Sequence, residues 1–444
     1  MEQNRKEGGV EADASSRAAW YVVGLLAALY AVSFLDRGIM ALVIQPVARD
    51  LALNDAEMGV ILGVGFAAMY ALMGVPAAQL IDQKGRKTII VVGVVVWCLG
   101  TIASAFASDF MTLTLCRASV ASGEAVLTPA AISLIADLFP PNRRALPMSI
   151  YASMATVMTG GTLLLGGAAL HLATAFADET GLAPWRGTLF LVGLPGLALI
   201  AVFVLTVREP PRTGTAEAIA GEGASLRELL HHLRERWRFY VPFYLGASFL
   251  VMYAYAQAGW LPTLLIRVHG VSPENSAYLL ALATPIALMG TFFFPLLARR
   301  LDRGGGGDGL VTAFMIAAVA ATPLMALFPL APTIAGVIVG GGLTLACMTA
   351  TSTLSPLTMQ AFGPSRMRAR LMALSLLCSS LLGFALGPTL VGVISSLDAG
   401  NPNSIGHAMS LLGAVVGPSA ALCFALCRPA ARRFRRETER YGAG

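Results

Sequence analysis

Twelve long apolar stretches alternate with shorter polar segments along the 444 residues of this chain. A helix needs about 20 apolar residues to cross a bilayer, and each stretch is long enough. The pattern therefore predicts an all-α integral membrane protein with twelve transmembrane helices. The predicted spans cover residues 19–44, 56–80, 88–107, 110–138, 146–170, 187–207, 239–266, 275–298, 310–330, 333–361, 369–396 and 405–427.

One long polar connector divides the spans into two groups of six. Within it, Ser225 is followed by Glu228, the spacing of a capping box, which predicts a short amphipathic helix. We predict a disordered tail at 1–17, an N-terminal six-helix half at 18–207, a linker at 208–238, a C-terminal six-helix half at 239–427 and a basic tail at 428–444.

Composition agrees with the hydrophobic pattern. Hydrophobic residues make up 56% of the chain and charged residues 13%, about half the share in soluble domains. This composition excludes a soluble enzyme, a disordered chain and a nucleic-acid binder. No P-loop, no nucleophile paired with a base and no metal-ligand cluster occurs in the spans, so we expect neither an enzyme nor a bound cofactor or metal.

The basic residues predict how the chain is oriented. If the N-terminus is cytoplasmic, 26 of the 31 lysines and arginines fall on inner segments, and the outer loops hold only Arg49, Arg186 and Arg267. Positive charge accumulates on the cytoplasmic side of membrane proteins. We therefore predict a multi-pass protein of the cell (inner) membrane with both termini in the cytoplasm and the lipid bilayer as its surroundings.

Two pairs of similar short segments relate the two halves to each other. Asp82 and Gly85 after the second span match Asp302 and Gly305 after the eighth, at a constant offset of 220 residues. Residues 139–143 are similar to residues 362–366, with an offset of 223 residues. Nearly equal offsets predict duplicated, pseudo-symmetric halves.

Four charged residues lie well inside the predicted spans, all of them in the first half: Asp36, Arg37, Arg117 and Glu124. Such residues are costly in a membrane and are usually functional. Arg117 and Glu124 share one face of span four, and Asp36 lies at about the depth of Arg117, so these two residues could pair. Arg37 lies about 100° around the helix from Asp36 and points elsewhere. The cluster predicts a proton-coupling site; a purely structural ion-pair network is the alternative.

The second half is apolar and aromatic by contrast. We predict that Tyr253, Gln257, Trp260 and Gln360 line a substrate cavity there. A charged half that faces an apolar, aromatic half suits an amphipathic substrate with a charged head and an apolar tail. Helix packing and interfacial anchoring are the alternative role of the aromatic residues.

The loop after span two carries Asp82, Gly85, Arg86 and Lys87, and it resembles the loop 2–3 signature of the major facilitator superfamily. That pattern usually begins with Gly, where this chain has Ala78. The resemblance implies twelve helices in two halves and an acidic residue that caps a neighbouring helix and latches one conformation. Latch residues are then Asp82, Gly85, Arg86, Lys87 and, through the repeat, Asp302. An ordinary positively charged turn is the alternative.

A finer resemblance, to the spinster-like branch of lysolipid and sphingolipid transporters, rests on four segments: residues 34–37, residues 117–125 with 135–139, residues 259–262 and residues 267–272. It implies that Asp36 and Glu124 couple protons, with Arg37 and Arg117 as charge partners or headgroup ligands. Residues 184–186 are shared with an organic-anion symporter branch.

The sequence therefore predicts a monomeric, proton-coupled secondary transporter that works by alternating access. Its partners would be protons and an amphipathic lysophospholipid or sphingoid-type substrate. The alternative is a proton-linked symporter of small organic anions, in which Arg37 and Arg117 bind a carboxylate.

Overall fold

A computed structural model describes residues 2–209, 226–303 and 307–442, and these residues are almost entirely helical. The helices of the first half are α1 (Glu2–Asp50), α2 (Asp55–Leu62), α3 (Val64–Lys84), α4 (Arg86–Ser104), α5 (Phe110–Glu124), α6 (Leu127–Leu138), α7 (Ala145–Ala175), α8 (Ala177–Thr180) and α9 (Pro184–Thr206). Those that follow are α10 (Leu226–Glu235), α11 (Trp237–His269), α12 (Pro273–Ala281), α13 (Thr284–Asp302), α14 (Gly309–Leu327), α15 (Ile334–Phe362), α16 (Arg368–Cys378), α17 (Leu386–Ser396) and α18 (Ser404–Gly442).

Twelve stretches within this described part of the chain are long and apolar enough to cross a membrane, which confirms the predicted number of spans. They are Arg17–Asp50, Asp55–Gly74, Arg86–Ser104, Phe110–Leu138, Ala145–Ala175, Pro184–Thr206, Trp237–His269, Pro273–Asp302, Gly309–Leu330, Ile334–Phe362, Arg368–Ser396 and Ser404–Phe434. The first helix begins at Glu2, so the tail that we expected to be disordered is helical in this structure. Of the predicted capping box, Ser225 lies outside the described residues, whereas Glu228 lies in the first turn of α10.

Several spans contain a local break. Span four is interrupted between α5 and α6, directly after Glu124. Pro129 explains the interruption, because proline has no N–H to donate to the carbonyl of Ala125. Span eleven contains a π-helical segment, Ser379–Ala385, between α16 and α17. Breaks of this kind recur at functional positions in membrane helices.

The chain folds into two compact units. Unit 1 comprises Met1–Met40 and Met69–Gly221, and unit 2 comprises Ala41–Ala68 and Glu222–Gly444. The second unit thus takes in residues 41–68, the end of span one and the start of span two. The predicted boundaries of the two six-helix halves stay a prediction.

In unit 1, α4 is the central helix and packs against α5, α6 and α9. Trp97 in α4 and Trp185 in α9 are among the largest fully buried side chains of unit 1. A Cβ on Gly123 would lie 2.5 Å from the carbonyl oxygen of Gly93, so only glycine lets α5 approach α4 this closely. This close approach fixes the position of the residue that follows, Glu124.

In unit 2, α11 is the most buried span. The Asp55 carboxylate, at the start of α2, accepts two hydrogen bonds of 2.9 Å each from the Arg267 guanidinium near the end of α11. Ser395 in α17 donates to the same carboxylate at 2.6 Å. A Cβ on Gly392 would lie 2.3 Å from the Asp55 carbonyl oxygen, so α2 and α17 pack backbone to backbone.

Candidate functional site

Asp36 and Arg117 form an ion pair in the interior of unit 1. Arg117 Nη1 donates to Asp36 Oδ1 at 3.3 Å, and the side chains of Arg117 and Asp36 are 3% and 1% exposed. The hydroxyl of Thr101 in α4 donates to the other carboxylate oxygen. The pair therefore joins α1 to α5 and is supported from α4, in the arrangement that the matching depths suggested.

Arg37, the next residue of α1, pairs with Glu124. Its Nη2 donates to Glu124 Oε2 at 2.6 Å, and its Nε donates to the same oxygen at 3.2 Å. The Glu124 side chain is fully buried, while that of Arg37 is 19% exposed. Charge-assisted hydrogen bonds of this length are among the stronger ones in proteins.

The local structure of α1 explains why neighbouring residues have different partners. Adjacent side chains on a helix point about 100° apart, so Asp36 and Arg37 contact different parts of α5. The following residue, Gly38, brings α7 close to α1, because a Cβ there would lie 2.3 Å from Cγ2 of Thr162. Sequence geometry anticipated the pairing of Asp36 but not that of Arg37, because the rotation of α1 against α5 is a tertiary property.

Two half-buried aromatic side chains contact Arg37 within unit 1, and a further half-buried ring and a buried one pack next to them. Its guanidinium carbon lies 5.4 Å from the ring centre of Phe34 and 5.0 Å from that of Tyr70. Tyr30 packs against Phe34 and stacks on Tyr151 with ring centres 4.5 Å apart. Cation–π contacts hold a guanidinium in place while leaving N–H groups for other partners.

We call Phe34, Tyr70, Tyr30 and Tyr151 the aromatic rim. None of these four residues is among the site residues predicted from the sequence, whose aromatic members all lie in the second half. The available signal was the spacing of Tyr30, Phe34 and Arg37 at three to four residues, which places them on one face of α1.

Two acids and two bases make the cluster neutral when all four are charged. Three oxygens of its carboxylates accept hydrogen bonds from Thr101, Arg117 and Arg37. The fourth, Glu124 Oε1, is buried and has no hydrogen-bond partner among the described residues. A buried carboxylate oxygen without a donor is costly as an anion and less so when it carries a proton. The arrangement can therefore hold a proton at Glu124, or an anion at the exposed edge of Arg37.

Arg86, one of the predicted latch residues, is buried at the N-terminus of α4. Its guanidinium contacts the Asp137 carboxylate, and Glu209 Oε1 accepts from the Arg86 backbone N–H at 2.7 Å. Gly85, just before it, has a φ of +88°, a conformation that favours glycine. An acid at a helix N-terminus is favourable, and here Glu209 takes that place. Asp137 and Glu209 had no assigned role in the sequence analysis.

The other latch residues are placed less uniformly. Lys87 Nζ donates to the carbonyl oxygens of Val204 and Val207 at the end of α9, at 2.9 and 2.6 Å. In unit 2, Asp302 Oδ1 accepts from the backbone N–H of Gly309 at 2.9 Å and so caps the N-terminus of α14. The side chain of Asp82 and all of Gly305 lie outside what the structure describes.

The four predicted cavity residues of the second half are positioned differently from one another. Tyr253, Gln257 and Trp260 are completely buried in unit 2. They donate to the backbone oxygens of Met325, Gly341 and Pro388 at 2.9, 2.9 and 2.8 Å. Gln360 is exposed. In this conformation the first three pack between helices of unit 2, and Gln257 Oε1 is buried without a hydrogen-bond partner among the described residues. Their role in a substrate cavity stays a prediction.

Comparisons with known proteins complete this description of the site. A family model described as Major Facilitator Superfamily matches residues 26–388. An MFS-type efflux pump of Mycolicibacterium smegmatis is 27% identical over 430 residues, covering 95% of this chain and 94% of the pump. Protein spinster homolog 3 of Danio rerio is 27% identical over 404 residues, covering 86% of this chain and 78% of the relative.

A solved structure is similar over nearly the whole chain. It is the crystal structure of a bacterial homologue of the human lysosomal transporter Spinster, in an inward-facing and unoccupied conformation. The TM-score is 0.80 at 26% sequence identity, with 94% of this chain and 98% of the other covered.

Proposed function

Because the chain belongs to the Major Facilitator Superfamily, a family of transporters, we propose that it is a proton-coupled secondary active transporter that works by alternating access. The observation that carries this proposal is the buried cluster of Asp36, Arg117, Arg37 and Glu124 in unit 1. The family and fold are those of transporters rather than enzymes.

A change of protonation at Glu124 supplies a physical switch. When Glu124 is an anion, it holds Arg37 through two donors on one oxygen. When Glu124 binds a proton, the attraction between opposite charges disappears, and only hydrogen bonding between the Arg37 cation and an uncharged carboxyl group remains. Arg37 then carries a positive charge that a substrate anion can balance. Proton binding and substrate binding are thereby linked through one guanidinium.

We propose an amphipathic, lipid-like substrate of the lysophospholipid or sphingoid type. Arg37 is the accessible member of the cluster and can bind a phosphate with two parallel hydrogen bonds. The aromatic rim offers apolar surface next to it. The spinster proteins among the relatives, and the solved structure of a bacterial Spinster homologue, support the assignment to this branch.

The cellular setting belongs to the same proposal. The protein would act as a monomer in the cell (inner) membrane with both termini in the cytoplasm, as the distribution of basic residues predicts. Asp82, Gly85, Arg86, Lys87 and Asp302 would latch one conformation. The capping contact of Asp302 and the charge cluster around Arg86 support that assignment.

The test uses purified protein reconstituted in liposomes, with uptake of a labelled lysophospholipid measured with and without an imposed pH gradient. We expect uptake to depend on the gradient. Glu124→Gln should abolish this dependence, because the amide cannot exchange the proton. Glu179→Gln is the matched control, since it makes the same chemical change at an exposed acid of α8. It should retain uptake equal to the unmodified protein.

Two results would change the proposal. Lysophospholipid uptake that responds to the gradient equally in Glu124→Gln and the unmodified protein would remove Glu124 from the coupling. Absence of lysophospholipid uptake, together with proton movement when small carboxylates are added, would favour the organic-anion symporter and make Arg37 and Arg117 its substrate ligands.

A further inference from the structure

Three arginines of α18 line an open cavity on the surface of the helix. The cavity has a volume of about 410 Å³ and is lined by Ala425, Arg428, Pro429, Arg432 and Arg433. It lies within unit 2, at the end of the last membrane span, Ser404–Phe434. Its volume falls in the range of ligand sites in proteins.

The charges around the cavity are not balanced. Arg428 Nε donates to Asp308 Oδ2 at 2.9 Å, and Arg432 Nε forms an ion pair with the same oxygen at 3.0 Å. Although burial acts to raise the pKa of Asp308, the hydrogen bond from Arg428 and the charges of Arg432 and Arg428 outweigh it and lower that pKa. Asp308 is therefore an anion, and among the side chains that the structure describes here, three arginines and one carboxylate give an excess of two positive charges.

The two ion pairs also leave donors for a further partner. Arg428 and Arg432 contact Asp308 through Nε. Among the described residues, neither Arg433 nor the terminal nitrogens of Arg428 and Arg432 make a hydrogen bond. Guanidinium groups bind phosphate oxygens through such paired N–H groups.

An apolar stripe leads along α18 to this cluster. Leu411, Val415, Leu422 and Leu426 are each between 55% and 60% exposed. At 100° per residue they lie with Arg433 in an arc of about 60° on one helix face. Leu422 and Leu426 are about 16 and 10 Å from Arg433 along the axis, which is comparable to the roughly 15 Å depth of one leaflet of the hydrocarbon core.

We propose that the arginine cavity of α18 binds the phosphate headgroup of an anionic phospholipid, whose acyl chains lie along the exposed stripe. The apolar stripe of α18 continues into the arginine cluster, and this favours a membrane lipid over a soluble phosphate, because a free anion would make no contact with the apolar side chains. The site is separate from the proposed transport site, since it lies in unit 2 and shares no residue with the buried cluster of unit 1.

The test measures lipid binding to the purified full-length protein in detergent by native mass spectrometry. Dioleoylphosphatidylglycerol is titrated against zwitterionic dioleoylphosphatidylcholine. We expect tighter binding of the anionic lipid. Arg432→Gln with Arg433→Gln should weaken it about tenfold or more, since each basic residue near an anionic headgroup contributes roughly a factor of five.

The controls separate a site from general attraction. Arg299→Gln with Arg300→Gln removes two exposed arginines of α13 and should change binding less than about twofold. Arg433→Gln alone leaves both contacts to Asp308 in place and should still weaken binding about fivefold. If the double variant does not fold, the effect of Arg433→Gln on binding of the anionic lipid tests the proposal.

Three results would overturn the proposal. The first is equal binding of the two lipids. The second is an equal loss in the two double variants, which would indicate general electrostatic attraction. The third is displacement of the lipid by low millimolar sodium phosphate, which would assign the cavity to a soluble anion. Retention of the lipid in phosphate, with the loss confined to the α18 variants, would support it.

Discussion

Removing either partner of the Asp36–Arg117 pair should cost much more stability than its small change in volume suggests. Asp36→Asn keeps the shape of the side chain and Arg117→Gln shortens it, and each substitution removes one charge. In each single variant, the remaining partner is left as a buried charge, because both side chains are at least 97% buried. The double variant contains neither charge.

The structure gives the scale of the effect. At the observed 3.3 Å, two unit charges attract each other by about 5 kcal/mol for an effective dielectric constant of about 20. In the intact pair, the cost of removing both charges from water offsets much of this attraction. When one partner is lost, the desolvation cost of the remaining charge is no longer compensated. We therefore expect each single variant to lose about 3 kcal/mol and the double variant at least 2 kcal/mol less than the sum of both.

Reversible unfolding in mixed micelles, followed for the four members of this double-mutant cycle, measures the coupling. Glu179→Gln serves as the control, since an exposed acid in α8 should change the free energy of unfolding by no more than about 0.5 kcal/mol. Additive single variants, with a coupling below about 0.5 kcal/mol, would refute the inference that the two side chains stabilise the protein as a pair. Exchanging the two charges should restore part of the lost stability.

Three further variants test other parts of the molecule. Asp82→Asn should shift the balance between inward- and outward-open states; unchanged spin-label distance distributions would contradict a latch. Arg267→Gln removes two of the hydrogen bonds to the Asp55 carboxylate and leaves that of Ser395, and it should lower the free energy of unfolding by about 2 kcal/mol, measured in detergent. Because the pKa of Asp308 is lowered, its contribution to stability is complete above about pH 4 and is lost as the pH falls through the lowered pKa. Asp308→Asn should therefore flatten the acid side of the stability profile, and a profile unchanged by the substitution would contradict this role.

The membrane fold was predictable because its main constraint is local. A span must supply about 20 apolar residues in sequence, so counting residues predicts twelve helices without knowledge of their packing. Breaks within spans were less predictable. Pro129 signals the interruption after Glu124, whereas the π-helical segment Ser379–Ala385 in span eleven has no comparable local signal.

The site was predictable only in part, because its contacts depend on packing between helices. The depth of Asp36 and Arg117 follows from their distance to the span ends, and this measure anticipated their contact. The partner of Arg37 depends on how α1 is rotated against α5. Asp137 and Glu209 are brought to Arg86 from segments more than 50 residues away.

The predicted cavity residues show a different limit. Tyr253, Gln257 and Trp260 have an apolar body with a polar end, which suits a substrate cavity and a packed helix interface equally well. Between packed helices the polar end needs a hydrogen-bond acceptor, and each of these residues donates to a backbone carbonyl oxygen. Composition does not distinguish the two outcomes, because the available carbonyls belong to other helices.

We propose that the two alternatives for the buried charges, proton coupling and a structural role, apply to different pairs of one cluster. Asp36 and Arg117 are inaccessible and also held by Thr101, so their pair suits a fixed link between α1 and α5. Arg37 is partly accessible, and Glu124 has an oxygen without a described donor, so this second pair is the one that protonation can open. A proton at Glu124 would then release Arg37 without loosening the helices. On this basis Glu124→Gln should impair coupling with little loss of stability, whereas Asp36→Asn should lose stability first.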